Sequence, residues 1–204
     1  GAAGTEQGIE AEAIRKVSGE RLRDELTKIL LAPAPARGLE GLARSGLLTV
    51  MIPAFKPVLA EDPALFRHLV ATVEAVKPGA ELRWAAFLHD LGKTTTRRVD
   101  ARGRVRYYGH EEVSLELAAS LLERFRFSNA ARQKIMTLVR WHMFAADPML
   151  TDAALRRLVG KVGREHIFDL LELRRADLVA SGGPTDRARE SLKLFARRIQ
   201  ALLA

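Results

Sequence analysis

The sequence contains no cysteine, which removes two kinds of structure from consideration. Disulfide bonds are excluded, and so are thiolate metal sites, so any bound metal must be held by histidine, aspartate or glutamate. A chain without cysteine also fits a reducing compartment, and we expect a cytoplasmic protein. Long hydrophobic runs are missing as well. Apolar stretches such as 46–55 contain a proline and fall well short of the roughly 20 residues that cross a bilayer, so we expect no membrane partner.

Acidic residues are in deficit, because Lys and Arg number 33 against 25 for Asp and Glu, which gives a net charge of +8 at pH 7. This balance favours polyanionic partners such as nucleic acid. Five arginines share the segment 96–110 with one acid, Asp100: they are Arg97, Arg98, Arg102, Arg104 and Arg106. The segment is either a solvated basic loop or an arm that contacts substrate or RNA phosphates. Its position directly after a His-Asp pair favours the arm.

Helical periodicity covers most of the chain. Ser18 is a good N-cap for an amphipathic helix over 18–31, and a short helix over 39–46 follows, with Gly46 as its C-terminal stop. Asp62 and Pro63 supply an N-cap and a first-turn proline for a further helix. Helical patterns then recur over 81–91, 111–124, 129–144, 152–160, 163–180 and 185–203.

The exception to this helical pattern is 97–108, which alternates around Arg102 and Gly103 like a small β-hairpin. We therefore predict an all-α fold, a helical bundle with one minor β feature. The proline-marked stretch 53–63 is the best candidate for a domain boundary. It divides the chain into a helical segment over 9–55 and a bundle over 60–204.

The adjacent pair His89 and Asp90 stands in an otherwise apolar helix. A buried, unpaired carboxylate costs on the order of several kcal/mol, so an aspartate on a core face needs a cation. A divalent metal would supply one, and both residues can reach it if the helix ends there, as Gly92 would permit. This pair is the strongest indication of a functional site in the sequence.

Four of the five histidines fall in regions that converge if the helices form one bundle. We predict a first metal site with mixed nitrogen and oxygen ligands: His68, His89, Asp90 and Asp177. A second metal, about 3.5 to 4 Å away, would share a bridging Asp90 and activate water for attack on a phosphoryl group. Its further ligands would be His110 and His142.

Each candidate also has a simpler interpretation. A single histidine on an apolar face, such as His68 or His142, is usually a hydrogen-bonded core residue. Asp177 could pair with one of the two arginines in "RRAD". His166 fits no part of the pattern, and we interpret it as structural. The joint pattern favours a metal centre, because the simpler interpretations would all have to hold independently.

The order of the candidate ligands resembles the HD-domain superfamily of metal-dependent phosphohydrolases, which implies a helical bundle with the ligands at its centre. Two stretches carry a closer resemblance, to the C-terminal half of bacterial tRNA nucleotidyltransferases and poly(A) polymerases. In that family, 81–114 with "HDLGK" and "YYGHE" would belong to the HD domain, and 18–53 to a helical segment associated with RNA binding. The family's nucleotide-adding head is absent from this sequence. We therefore expect no CCA or adenylate addition by this chain alone, and a head outside the chain is one expected partner.

The resemblance implies a phosphohydrolase that acts on phosphate esters, such as 2′,3′-cyclic phosphates or 2′-phosphates at the 3′ ends of RNA, above all tRNA. Asp90 and Lys93 are the predicted catalytic residues. Lys93 would neutralise charge on the phosphoryl oxygens or assist the leaving group, unless it is a plain surface lysine. Mixed His and carboxylate ligation favours one or two ions of Mn, Fe, Co, Ni or Zn over Mg or Ca. Two alternatives are a non-catalytic RNA-binding tail of a nucleotidyltransferase and an HD enzyme that acts on free nucleotides.

Overall fold

The structure is a computed structural model that describes residues 12–14, 16–147, 149–183 and 185–204, so residues 9–11 and 15 of the predicted first segment lie outside it. The described residues form twelve helices and one two-stranded sheet. The helices are α1 (Gly19–Leu31), α2 (Pro35–Arg44), α3 (Leu47–Met51), α4 (Phe55–Glu61), α5 (Pro63–Ala75), α6 (Ala80–Leu88), α7 (Lys93–Thr96), α8 (His110–Arg124), α9 (Asn129–Trp141), α10 (Asp152–Val162), α11 (Ile167–Ala180) and α12 (Asp186–Leu203). The strands are β1 (Arg98–Val99) and β2 (Val105–Arg106). The predicted all-α fold with one hairpin is confirmed.

Side-chain caps fix where the main helices begin. The Ser18 hydroxyl accepts a hydrogen bond from the Arg21 N–H at 3.4 Å, and the Asp62 carboxylate accepts one from the Leu65 N–H at 3.0 Å. Pro63 follows Asp62 in the first turn of α5, where a missing N–H costs nothing. Gly46 adopts the left-handed conformation, with φ at 77°, just beyond the end of α2. These local predictions from the sequence are therefore confirmed.

The stretch between α2 and α5 differs from the sequence prediction. The short helix predicted over 39–46 begins earlier, at Pro35, because the proline occupies its first turn. Two short helices, α3 and α4, fill the stretch that the prolines had marked as a junction. Pro57 lies in the first turn of α4, where its backbone is compatible with a helix. The prolines therefore mark helix starts in this part of the chain and not an irregular linker.

The core runs continuously from the first helices into the bundle. Phe55 of α4 stacks on Phe87 of α6 with ring centroids 4.5 Å apart, and both side chains are fully buried. The guanidinium of Arg83 donates to the Leu30 carbonyl at the end of α1. The α4 and α1 contacts thus hold α6 firmly just before the His-Asp pair. The division into 9–55 and 60–204 stays a prediction.

The bundle is centred on α5, α6, α9 and α11. Helix α5 packs against α6 and α11, and α9 packs against α6 and α8. Each of these helices is mostly apolar on its inner side, so a polar residue there is conspicuous. None of the described helices combines the length and hydrophobicity needed to cross a bilayer.

Candidate metal centre

The predicted ligands lie together in the centre of the bundle. His68 comes from α5, His89 and Asp90 from the turn after α6, and Asp177 from α11. His110 opens α8, and His142 is the residue at which α9 ends. Ligand atoms in each of two groups lie within 4.8 Å of one another: His68, His89, Asp90 and Asp177 form the first group, and Asp90, His110 and His142 form the second.

The first group surrounds one carboxylate oxygen from each aspartate. His68 Nε2 lies 3.2 Å from Asp177 Oδ1, 3.4 Å from Asp90 Oδ2 and 3.4 Å from His89 Nε2. His89 Nε2 lies 3.2 Å from Asp90 Oδ2 and 3.8 Å from Asp177 Oδ1. Two imidazole nitrogens and two carboxylate oxygens therefore face a common point, as the ligands of one ion would.

The second group uses the other oxygen of Asp90. His110 Nε2 lies 3.2 Å and His142 Nε2 3.3 Å from Asp90 Oδ1, and the two nitrogens lie 3.4 Å apart. Asp90 is 1% exposed. Its two oxygens thus face different sets of nitrogen atoms, which is the geometry of a carboxylate placed between two sites.

Three of the imidazoles are oriented by the main chain. In each, Nδ1 donates a hydrogen bond to the carbonyl oxygen three residues earlier: His89 to Ala86 at 2.9 Å, His110 to Tyr107 at 2.8 Å and His142 to Val139 at 2.7 Å. A carbonyl oxygen can only accept, so the proton sits on Nδ1 in each ring. In the neutral ring Nε2 is then unprotonated and available as a metal ligand.

The turn after α6 places Asp90 between the two groups. Helix α6 ends at Leu88, and the His89 N–H makes the capping hydrogen bond to the Ala85 carbonyl. Gly92 lies beyond this end with φ at −70°, so it does not terminate the helix through a left-handed conformation. Its missing side chain instead allows the turn to lie close to the start of α8. A Cβ at position 92 would lie 2.3 Å from the His110 carbonyl oxygen and 2.8 Å from the amide nitrogen of Ser114.

The carboxylates and imidazoles of the cluster shift one another's pKa values. Burial alone would raise the pKa values of Asp90 and Asp177, but the neighbouring imidazoles outweigh burial and hold both pKa values well below their usual range. Burial alone would lower the pKa of His89, but the two carboxylates raise that pKa to about 10. Burial lowers the pKa of His142. Two ionised carboxylates, Asp90 fully buried and Asp177 with its side chain 13% exposed, therefore lie close together, and positive charge between them stabilises the arrangement.

One atom of the cluster lacks a hydrogen-bond partner. Asp90 Oδ1 is buried and accepts no hydrogen bond from the described residues, although imidazole nitrogens lie 3.2 and 3.3 Å away. Buried carboxylate oxygens are normally satisfied, so this oxygen requires another partner. A metal ion shared with the His110 and His142 nitrogens fits that requirement. The cluster is thus one that could bind a metal.

Lys93 and Arg174 lie at the edge of the cluster. Lys93 Nζ is 2.5 Å from Asp90 Oδ2 and 5.7 Å from the centroid of the Tyr107 ring. Asp177 Oδ2 accepts a hydrogen bond from Arg174 Nη1 at 2.7 Å, while Asp177 Oδ1 faces the histidines. The ion pair considered as the simpler interpretation for Asp177 is therefore present, and it leaves the other oxygen free for the cluster.

The arginine hairpin follows the cluster directly. Strand β1 pairs antiparallel with β2, with Arg98 opposite Arg106 and Val99 opposite Val105, and the predicted hairpin is confirmed. Within the hairpin, the carboxylate of Asp100 binds the guanidinium groups of Arg104 at 3.0 Å and Arg106 at 3.3 Å. The exposed members of the arginine set are Arg97, Arg98, Arg102 and Arg104.

The fifth histidine lies outside both groups. His166 precedes the first residue of α11, and its Nε2 lies 3.6 Å from Glu165 Oε1. Its interpretation as a structural residue stays a prediction. His166 is nevertheless useful as a matched comparison, because it is a histidine of the same bundle that faces neither Asp90 nor Asp177.

The fold and the site together define a class of protein. It is a helical bundle whose centre holds an adjacent His-Asp pair, three further histidines and a second aspartate, a set that could bind a metal. Comparison with known protein families agrees with this class. Residues 65–181 match the model of the HD domain, and residues 7–59 match a model described as the probable RNA and SrmB-binding site of polymerase A. The chain belongs to the HD domain family.

Its relatives include enzymes that act on tRNA. The chain is 36% identical over 200 residues to the A-adding tRNA nucleotidyltransferase of Deinococcus radiodurans. This match covers 90% of this chain and 45% of the relative. It is 36% identical over 187 residues to the CC-adding tRNA nucleotidyltransferase of Thermus thermophilus, and this match covers 85% of this chain and 42% of the relative. The chain therefore spans less than half the length of these relatives. The predicted resemblance to HD phosphohydrolases and to the C-terminal half of tRNA nucleotidyltransferases is confirmed.

Proposed function

We propose that this chain is a metal-dependent phosphohydrolase acting on phosphate esters at RNA 3′ ends, with 2′,3′-cyclic phosphates or 2′-phosphates as substrates and tRNA as the RNA. One observation carries the proposal. Asp90 is buried, and its two oxygens face two separate sets of imidazole nitrogens, with Oδ1 accepting no hydrogen bond within the part of the chain that the structure describes. Membership in the HD family and similarity to tRNA nucleotidyltransferases support the choice of chemistry and of substrate.

The ligand roles follow from the two groups. His68, His89, Asp90 and Asp177 would hold one divalent ion, and Asp90, His110 and His142 a second. Bound ions would supply Lewis-acid chemistry, namely activation of water and neutralisation of charge on the phosphoryl group. Nitrogen and carboxylate donors together favour Mn, Fe, Co, Ni or Zn.

Other residues of the chain would position the substrate. Lys93 would place its ammonium group, which already contacts Asp90 Oδ2, against the phosphoryl oxygens as they gain charge. The arginine hairpin would hold neighbouring phosphates of the RNA through its exposed guanidinium groups. Asp90 would set the separation of the two ions, since one carboxylate would bind both.

The central test compares the wild type with Asp90→Asn. We expect the wild type to contain stoichiometric transition metal and to hydrolyse a nucleoside 2′,3′-cyclic phosphate or an RNA 2′-phosphate in a metal-dependent way. Asp90→Asn should lose the metal and more than about 100-fold in activity, because even changes outside the ligand shell cost 10–100-fold. Elemental analysis and a product assay with tRNA as competitor measure both effects. His166→Gln is the matched control and should keep metal and activity; full activity in Asp90→Asn would refute the proposal.

A second candidate function is a non-catalytic RNA-binding tail. The match of residues 7–59 to an RNA-binding family model favours it, as does the net charge of +8. In this role the chain would add affinity for tRNA to a nucleotide-adding head supplied outside these 204 residues. Elemental analysis separates the two functions. A purified wild type that binds tRNA but no stoichiometric metal would favour the tail.

A further inference from the structure

A groove of about 390 Å³ opens directly beside the metal centre. Its lining includes His110 and Lys93, whose side chains are 6% and 25% exposed and contact Asp90. It also includes two strongly exposed residues, Tyr108 at 78% and Met143 at 51%. The groove therefore leads from the predicted ligands to an apolar surface.

The apolar surface is unusual for its position. Val105, also in the groove lining, is 39% exposed, and its cross-strand partner Val99 is 58% exposed. Exposed apolar side chains scattered singly need no explanation, but a group of them beside a polar site indicates a binding surface. Tyr108 is 78% exposed and makes no ring contact with another aromatic side chain among the described residues, so most of the surface of this ring is available to a ligand.

The backbone on either side of Tyr108 is held in place. Before it, the Tyr107 carbonyl accepts the Nδ1–H hydrogen bond that orients His110. After it, Gly109 adopts the left-handed conformation with φ at 74°, which starts α8 at His110. The Tyr108 ring is thus attached two residues from a predicted metal ligand, on a segment whose conformation that ligand also needs.

The chemistry of the groove selects a class of ligand. An exposed aromatic ring offers a stacking face for a planar heterocycle, and Lys93 and Arg106 in the same lining offer positive charge for phosphate. Methionine adapts to flat, polarisable partners and often contacts them through its sulfur. A base joined to a phosphate combines these features. An apolar peptide would bring no negative charge to Lys93 and Arg106, which are paired with Asp90 and Asp100 within the protein.

We propose that Tyr108 and Met143 bind the nucleobase of the nucleotide whose phosphate lies at the metal centre. This inference rests on the proposed function, and it identifies the base of the terminal nucleotide as part of what is recognised. Stacking tolerates any base, so the surface would read the presence of a base and not its identity.

The test uses a short single-stranded RNA that ends in 2-aminopurine riboside and carries a 3′-methylene phosphonate, which resists hydrolysis. We expect the fluorescence of the terminal 2-aminopurine to be quenched on binding to the wild type and to Tyr108→Phe. With Tyr108→Ala, quenching should be lost and Kd should rise about 5- to 150-fold, the loss expected for one stacked base. Phe168→Ala, which removes another exposed aromatic ring far along the chain, should behave like the wild type.

A parallel assay separates this inference from the proposed function. The KM for a nucleoside 2′,3′-cyclic phosphate should rise in Tyr108→Ala by a similar factor, while the KM for glycerol 1,2-cyclic phosphate, which has no base, should not change. Metal-dependent hydrolysis with unchanged quenching and KM in Tyr108→Ala would overturn the stacking surface and leave the hydrolase intact. Quenching that depends on Tyr108, without hydrolysis by the wild type, would support the surface and refute the hydrolase. Absence of quenching in the wild type would overturn the surface.

Discussion

At the scale of single residues, the contact between Gly92 and α8 is what brings Asp90 to His110. The Gly92 N–H donates to the Ser114 hydroxyl at 2.9 Å, so the turn lies directly on the first turns of α8. An added methyl group would meet main-chain atoms, which cannot rotate away as the end of a long side chain can. The spacing between two predicted ligands therefore depends on a residue that binds nothing itself.

We predict that Gly92→Ala lowers the free energy of unfolding by about 1–3 kcal/mol, the usual cost of overpacking. It should also weaken metal binding, because His110 is pushed away from Asp90. Urea unfolding and a metal titration measure the two effects. Gly41→Ala is the control, since the added Cβ there has nothing within 4 Å and alanine favours the helix by up to about 1 kcal/mol. Equal unfolding midpoints for Gly92→Ala and the wild type would contradict the prediction.

The identities of the cluster residues could be predicted from the sequence, but their contacts could not. His89 and Asp90 could be predicted as site residues, because burying charged and polar side chains in an apolar helix is energetically costly. Helix order then predicted that distant histidines converge, and the structure places them together. The role of Gly92 and the sharing of Asp177 between Arg174 and the histidines depend on interatomic distances. The spacing of residues along the sequence does not by itself give those distances.

At the scale of secondary-structure elements, the hairpin separates the arginines by how they are bound. Arg104 and Arg106 are paired with Asp100, whereas the guanidinium groups of the exposed Arg97, Arg98 and Arg102 form no ion pair among the described residues. These three arginines are therefore the most readily available for RNA phosphates. Asp100 has the structural task of holding the two paired arginines across the turn.

We predict that Arg97→Gln and Arg102→Gln each weaken tRNA binding and lower the slope of log K against log salt by about 0.7 to 0.9, as expected for one lost phosphate contact. Fluorescence anisotropy at several salt concentrations measures the slope. Arg157→Gln removes the same charge from an exposed position on α10 and should leave the slope unchanged. If all three variants behave alike, the hairpin has no special role in binding RNA.

The elements themselves show which sequence signals were sufficient. Capped amphipathic helices such as α1 and α5 were predicted, because a side-chain cap and an apolar stripe agree. Helices α3 and α4 were missed. Each is too short to display a helical period, and prolines at 53 and 57 indicated a break. Local helix propensity alone would not make these two short helices stable. Packing against the bundle, with Phe55 on Phe87, stabilises them.

At the scale of the whole molecule, the cluster joins parts of the chain that are far apart in sequence. Its six side chains come from α5, the turn after α6, α8, the end of α9 and α11. Ions bound by the two groups of ligands, which share Asp90, would link these elements in the folded state and would find no such sites in the unfolded chain. Metal binding should therefore stabilise the entire bundle.

We predict that added Mn²⁺ or Zn²⁺ raises the Tm of the metal-free protein. At a free metal concentration of 100 times Kd, binding adds about 2.7 kcal/mol, which corresponds to roughly 5 to 10 °C for a chain of this size. Differential scanning fluorimetry after treatment with chelator, with and without metal, measures the shift. His166→Gln should show the same shift as the wild type and Asp90→Asn should show none. An equal shift in Asp90→Asn would place the stabilising ion elsewhere.

The carbonyl oxygens that accept the three Nδ1–H hydrogen bonds belong to Ala86, Tyr107 and Val139. Peptide oxygens are present whatever side chain a residue carries, so mutation at these three positions cannot delete the acceptor. Most substitutions at these three positions should therefore leave the orientation of the imidazole rings unchanged. These positions are free to take on other tasks, as Tyr107 does by lying under the Lys93 ammonium group.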